Sequence, residues 1–203
     1  MNLASEICIK YTSMKISQVE LIAELELQVK TLISRAKELG KMNDSSLVFR
    51  PGPEKWNVLE ILEHLNLYSD FYLNAIEKSA STGTKIDSSN TFKPGLLGNY
   101  FAKSMLPKSN GEITNSMKTF KDKNTLNLAI DRSSIEKFMN QQEQLLGLLE
   151  KCKNIELNKA KTGITISKLL KLKLGDTLRF YINHEVRHFV QIENNLKALN
   201  GQV

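Results

Sequence analysis

Four stretches of the chain repeat apolar residues every three or four positions, the period of a helix with one buried face. In the first, Ile22, Leu25, Val29, Leu32, Ala36 and Leu39 form one stripe. Ser17 with Glu20 three residues later marks its start as a capping box, and Gly40 marks its stop. The second repeats the start signal with Asn57 and Glu60, and its stripe is Val58, Ile61, Leu65, Tyr68, Tyr72 and Ala75. The third opens at Ser133 with Glu136 and runs through Ile135, Phe138, Leu145, Leu149 and Cys152, interrupted by the polar Gln142. The fourth spans about Leu174 to Leu199, with Leu178, Ile182, Phe189, Ile192, Leu196 and Leu199 as its core. Four such helices with no convincing series of strands predict an all-α four-helix bundle.

The connections are uneven. Pro51-Gly52-Pro53 makes a rigid lead-in to the second helix. A long crossover, 81–132, joins helices 2 and 3 and permits them to run parallel; its apolar part, Leu96 to Leu106, predicts a short helix over one end of the bundle. In the second long link, 154–173, Gly163-Ile164-Thr165-Ile166 is the nearest thing to a strand. The lysines interleaved with leucines between Lys168 and Lys173 read as a solvated helix face or a loop.

The 203 residues suit one domain, with 1–15 as a loosely attached extension. No apolar run approaches the roughly 20 residues that span a bilayer, and Met1 to Ile16 lacks the uninterrupted apolar stretch of a secretion signal. Cys8 and Cys152 are isolated and read as reduced thiols, so the expected location is cytoplasmic. The net charge of +6 would suit an anionic partner. The lysines are nevertheless dispersed, and no recognition helix, RNA-binding signature or cysteine-rich finger accompanies them, so nucleic acid is not expected.

The chemistry worth weighing lies in three histidines. His184 and His188 stand four apart on the fourth helix and share a face. His64 lies on the second helix, and alone it reads as a hydrogen-bonded core residue. Together the three imidazoles would make a three-nitrogen metal site with open positions, the arrangement of catalytic zinc. His184-Glu185-Val186-Arg187-His188 also spells the H-E-x-x-H letters of zinc proteases. Only fifteen residues follow His188, however, with no downstream ligand at a familiar spacing, and the strand-rich half of those enzymes is missing.

The segment Trp56 to Leu65 (WNVLEILEHL) resembles the first motif of the DinB/YfiT-like metalloprotein superfamily, a tryptophan followed by a helix ending in His-Leu. Gly175 to Phe180 (GDTLRF), leading into His184 to Ile192 (HEVRHFVQI), resembles the second, in which a histidine pair is followed by glutamine. The resemblance covers nearly the whole chain beyond the first fifteen residues. It implies an up-down-down-up bundle holding one divalent metal, nickel or zinc, on His64, His184 and His188. It also implies a function among thiol-dependent S-transferases and related enzymes, some using low-molecular-weight thiols.

Such a metal keeps positions for water or a substrate thiol and acidifies what binds there. The expectation is therefore a metal-dependent thiol S-transferase or related hydrolase acting on a small electrophile. The competing expectation is a non-enzymatic metal-binding or interaction bundle. Around the metal, Glu185 is turned about 100° from His184 on the helix. It reads first as a surface ion pair with Arg187 or a lysine and second as a group orienting a ligand. Gln191, one turn after His188, either approaches the metal pocket or caps a core contact. Tyr68 and Tyr181 are placed to line a pocket beside His64 and His184. Arg187 is expected to pair with Glu60 or Glu63, and Trp56 to pack over the start of helix 2. A homodimer is the expected assembly.

Overall fold

The structure is a computed structural model, and it describes residues 15–86, 90–114 and 118–201. The proposed extension 1–15 falls, apart from Lys15, outside the described residues, as does Cys8. Four long helices carry the apolar stripes: α1 (Gln18–Gly40), α3 (Val58–Thr82), α5 (Ser133–Cys152) and α6 (Leu174–Leu199). Two short ones, α2 (Asp44–Leu47) and α4 (Leu96–Ser104), lie in the connections. The fold is mostly helical but not purely so. Strands β1 (Ile16–Ser17) and β2 (Thr91–Phe92) pair antiparallel, as do β3 (Lys161–Ile164) and β4 (Ser167–Lys173).

The start signals hold at two helices and fail at a third. The Glu20 carboxylate accepts from the Ser17 amide at 3.3 Å at the head of α1. At α3 both halves of the box form: the Glu60 amide donates to Asn57 Oδ1 and the Asn57 amide to Glu60 Oε2, each at 2.9 Å. At α5, Ser133 is already helical, and the cap comes from Asp131, whose Oδ1 accepts from the Ser133 amide at 2.8 Å. An aspartate two residues upstream thus replaces the expected Ser133–Glu136 pair. The α3 stripe passes through the fully buried Ile76 and leaves Ala75 half-buried, and Leu199 at the end of α6 is exposed.

The stretch 168–173, expected as a solvated helix face or a loop, is instead a strand. From Leu170 to Leu174 leucines alternate with lysines at a period of two, and Leu172 is buried while Lys171 and Leu169 face solvent. The hairpin register shifts between Gly163 and Ile164.

α1 and α3 each pack against both α5 and α6. At one end of α1, Gln18 Nε2 donates to the carbonyls of Lys153 (3.1 Å) and Ile155 (2.8 Å), just beyond α5. At the other end, Arg132, immediately before α5, donates to the Gly40 (2.5 Å) and Met42 (2.9 Å) carbonyls. Between α3 and α5, Asn66 bonds the Ser134 carbonyl, Gln141 bonds Asp70, and Lys151 pairs with Glu77. Between α3 and α6, Ser69 accepts from the Tyr181 hydroxyl at 2.7 Å, and the pairs step in opposite directions along the two helices.

The interior is divided. One apolar cluster takes Leu21 to Val29 of α1, Tyr68 to Ala80 of α3, Leu145 to Cys152 of α5 and Leu174 to Ile182 of α6. The other takes Leu32 to Leu39, Val58 to Leu65, Ile135 and Phe138, and Val186 to Ile192. Between them lies a belt of buried polar residues, among them Gln28, His64, Asn66, Ser69, Gln142, Asn183, His184 and Glu185. Gln142, read as an interruption of the α5 seam, belongs to this belt. A buried polar layer is tolerated only where its members find partners, so it is where a site would be built.

α4 packs along α6 with a close approach at Gly98, and β2 approaches α6 closely at Gly175. A methyl on Gly98 would come within 2.4 Å of the Asp176 carboxylate, and one on Gly175 within 2.4 Å of Phe92. Asp176 Oδ2 accepts from the Gly95 amide at 2.8 Å, and Asn183 Nδ2 donates to the Ala102 carbonyl at 2.9 Å. The crossover is thereby fastened to α6.

Candidate metal centre

The three histidines, far apart in sequence, meet in the polar belt. One nitrogen from each of His64, His184 and His188 lies within 4.8 Å of the other two. The ring centroids are 4.6 Å apart for His184–His188, 4.7 Å for His64–His188 and 5.4 Å for His64–His184. All three rings lie in largely buried surroundings, with His64 and His184 among the buried polar residues.

Hydrogen bonds decide which nitrogens converge. His64 Nδ1 is 2.7 Å from the Lys123 carbonyl oxygen, in the 3-10 turn Lys121–Lys123. A carbonyl only accepts, so Nδ1 carries the proton and Nε2 keeps its lone pair. His188 Nδ1 likewise sits 2.9 Å from the Gln191 side-chain oxygen, which leaves its Nε2 to face the His184 Nε2 at 3.2 Å. Engaging the far nitrogen of a ring with a carbonyl oxygen is how proteins orient metal-binding imidazoles. His184 Nδ1 is buried with no hydrogen-bond partner among the described residues.

Electrostatics agree with the geometry. Burial pushes His64 down to about 4. Burial, reinforced by the neighbouring histidines, holds His184 and His188 well below the usual imidazole range. All three rings are therefore neutral at pH 7, the form that binds metal. A buried imidazole nitrogen left without a partner costs about 1–3 kcal/mol, and a shared cation would satisfy three at once. The donor set of three neutral imidazoles suits zinc or nickel.

The surrounding residues fall in several places. Tyr68 lies against two of the rings, 4.9 Å from His64 and 4.8 Å from His184 between centroids. Burial pushes its hydroxyl up to about 12, so it stays a neutral phenol. Trp56 reaches further than the start of α3 and packs against His64 at 4.5 Å and His188 at 6.0 Å. Tyr181 is turned into the core, where it stacks on Tyr72 at 4.8 Å and donates to Ser69.

Glu185 is fully buried, which corrects its reading as a surface ion pair. Its Oε1 accepts from Gln142 Nε2 at 2.7 Å across the core, and burial raises the carboxyl to about 8. The pairing of Arg187 with Glu60 or Glu63 does not form either. Glu60 takes Arg50, and Glu63 takes Asn66 and Lys137. The Lys123 carbonyl escaped the sequence reading altogether. A backbone oxygen has no residue signature, and only the path of the crossover puts it on His64.

The family model described as the DinB superfamily matches residues 24–192, a span that contains all three histidines, Trp56, Glu60 and Gln191. The chain belongs to the DinB superfamily. No curated protein and no solved structure matches it.

Proposed function

We propose that this member of the DinB superfamily is a metal-dependent enzyme, a thiol S-transferase or a related hydrolase, whose cation, zinc or nickel, is held by His64, His184 and His188. The observation that carries the reading is the convergence of three neutral imidazole nitrogens within 4.8 Å while the opposite nitrogens of two rings are held elsewhere. A bound cation supplies Lewis acidity to an oxygen or sulfur ligand at its open positions. The chain's own residues do the rest. Lys123 and Gln191 fix the ring orientations, and Trp56 and Tyr68 wall the site. A small electrophile and a low-molecular-weight thiol are the substrates this reading assigns. The buried carboxyl of Glu185 faces Gln142 and is no candidate for a general base beside the rings, which counts against a protease despite the H-E-x-x-H letters.

The helix-end pairs described above support a four-helix bundle in up-down-down-up order, folded as a single domain. No described helix is long and apolar enough to cross a membrane. We read the protein as cytoplasmic and homodimeric, with small-molecule partners and without nucleic acid.

A second reading, a non-enzymatic metal-binding bundle, draws on the burial of His64 and His184. It also draws on the position of a groove of about 430 Å³ beside Leu39, Met42, Phe189 and Ile192, which contains none of the three histidines.

Elemental analysis of freshly purified protein tests the site: one equivalent of metal in the wild type, lost in His64→Ala and His188→Ala. Equal metal in all three would overturn it. Metal-dependent transfer of an added thiol to an activated aryl halide then separates enzyme from structural bundle.

A further inference from the structure

Glu60 lies one helical turn before His64 on α3, wholly buried, and its carboxylate is met by hydrogen-bond donors. Oε1 accepts from the Asn127 amide at 2.6 Å and from Arg50 at 2.5 Å. Oε2 accepts from the same guanidinium at 2.5 Å and from the Asn57 amide at 2.9 Å. Its backbone carbonyl accepts from the Thr125 hydroxyl at 2.8 Å. Thr125 is itself fully buried, and Asn127 has a left-handed backbone with φ of 63°. The strap 123–127 is therefore pinned to a single turn of α3 at three points: Asn127 on the Glu60 carboxylate, Thr125 on the Glu60 carbonyl, and the Lys123 carbonyl on His64 Nδ1.

We infer that Glu60 is a positioning residue for the metal centre: by anchoring the strap 123–127 it holds the Lys123 carbonyl on His64 Nδ1 and so keeps His64 Nε2 aimed at the cation. This rests on the metal reading above. The capping box alone does not account for the arrangement. A cap needs one carboxylate oxygen on the Asn57 amide, whereas this carboxylate also gathers Arg50 from the preceding loop and the strap, which is remote from the helix in sequence. Four donors converge on two oxygens, so an amide at this position would turn an N–H group toward other donors. Glutamine is close in size but opposite in hydrogen-bonding demand. Outer-shell partners of metal-binding histidines typically change metal affinity by about 10- to 100-fold. Glu60 acts through one intermediate segment, so the lower end of that range is expected.

The test uses the full chain as wild type, Glu60→Gln and the milder Thr125→Val, which removes one pin and leaves the carboxylate intact. Long-range ¹H–¹⁵N spectra of the metal-free protein report which ring nitrogen of His64 carries the proton. Zinc affinity is measured in parallel by chelator competition. The wild type is expected to show a single His64 tautomer protonated at Nδ1. In Glu60→Gln this gives way to a mixture, with zinc bound about tenfold more weakly, and Thr125→Val shifts both in the same direction by less.

A variant that melts earlier but keeps the His64 tautomer and the zinc affinity would overturn the inference and leave Glu60 as a helix cap. If Glu60→Gln does not fold, an unmoved tautomer in Thr125→Val overturns it equally. Should the wild type bind no zinc, the metal reading falls, while the tautomer comparison still decides what Glu60 positions.

Discussion

His184 Nε2 and His188 Nε2 stand 3.2 Å apart on successive turns of α6, each ring kept neutral by burial. Without a cation, two such nitrogens share one proton between two lone pairs. With a cation, both lone pairs point at it. The pair therefore links metal loading to stability.

A ligand present at a hundred times its dissociation constant stabilises the fold by about 2.7 kcal/mol. Zinc or nickel added to chelator-treated protein should thus raise the melting temperature by roughly 5–10 °C for a domain of this size. His184→Ala and His188→Ala should each abolish the rise. An equal rise in all three proteins would sink the site.

The metal-free protein should lose stability on mild acidification. His64 is lowered to about 4 in the fold from 6.5. As pH falls below 6.5 the unfolded chain takes up a proton that the folded chain refuses. The neutral ring's contribution is therefore complete above 6.5 and is lost progressively down to about 4, by at most about 3 kcal/mol for this group. Urea unfolding at pH 7 and pH 4.5 in a chelator should show a smaller loss for His64→Gln. Equal losses would contradict the assignment.

Two glycines with opposite surroundings should respond oppositely to alanine. Gly98→Ala would drive a methyl into the Asp176 carboxylate, which caps the approach of α4, at a cost of about 1–3 kcal/mol. Gly147, inside α5 with nothing near the added methyl, should gain up to about 1 kcal/mol. Denaturant midpoints read both, and the same sign for the two would refute the packing at α4.

Removing the Gln142 amide should harm the core through Glu185. Gln142→Leu deprives a fully buried carboxyl of its 2.7 Å donor, at about 1–3 kcal/mol. Gln142→Leu combined with Glu185→Leu should be less destabilised than the two single changes added together. An additive double-mutant cycle would mean that the two groups do not depend on one another.

Cys152 should be inert in the native state. It is fully buried, and burial pushes its thiol up to about 12. In a Cys8→Ser background a thiol reagent at pH 8 should label the protein only after denaturant is added. Rapid native labelling would show that the end of α5 opens.

The four long helices, their approximate ends and the three histidines were legible in the chain itself. Helical periodicity, capping residues and the fixed spacing of His184 and His188 are local properties, set by neighbours a turn or so away. Even the misread leucine–lysine run carried its answer in a period of two, obscured by the strength of the helical signal on either side. What the sequence could not determine depended on groups brought together from afar. The polar belt that gathers Gln142, Glu185 and the histidines exists only once four separate stripes face inward at one level. Glu60 looked like one half of a helix cap until the crossover returned to it from more than sixty residues away, carrying the Lys123 carbonyl onto His64. Partners chosen by chain path, above all backbone atoms with no side-chain signature, are decided by tertiary packing, because that is where a buried polar group must find its match.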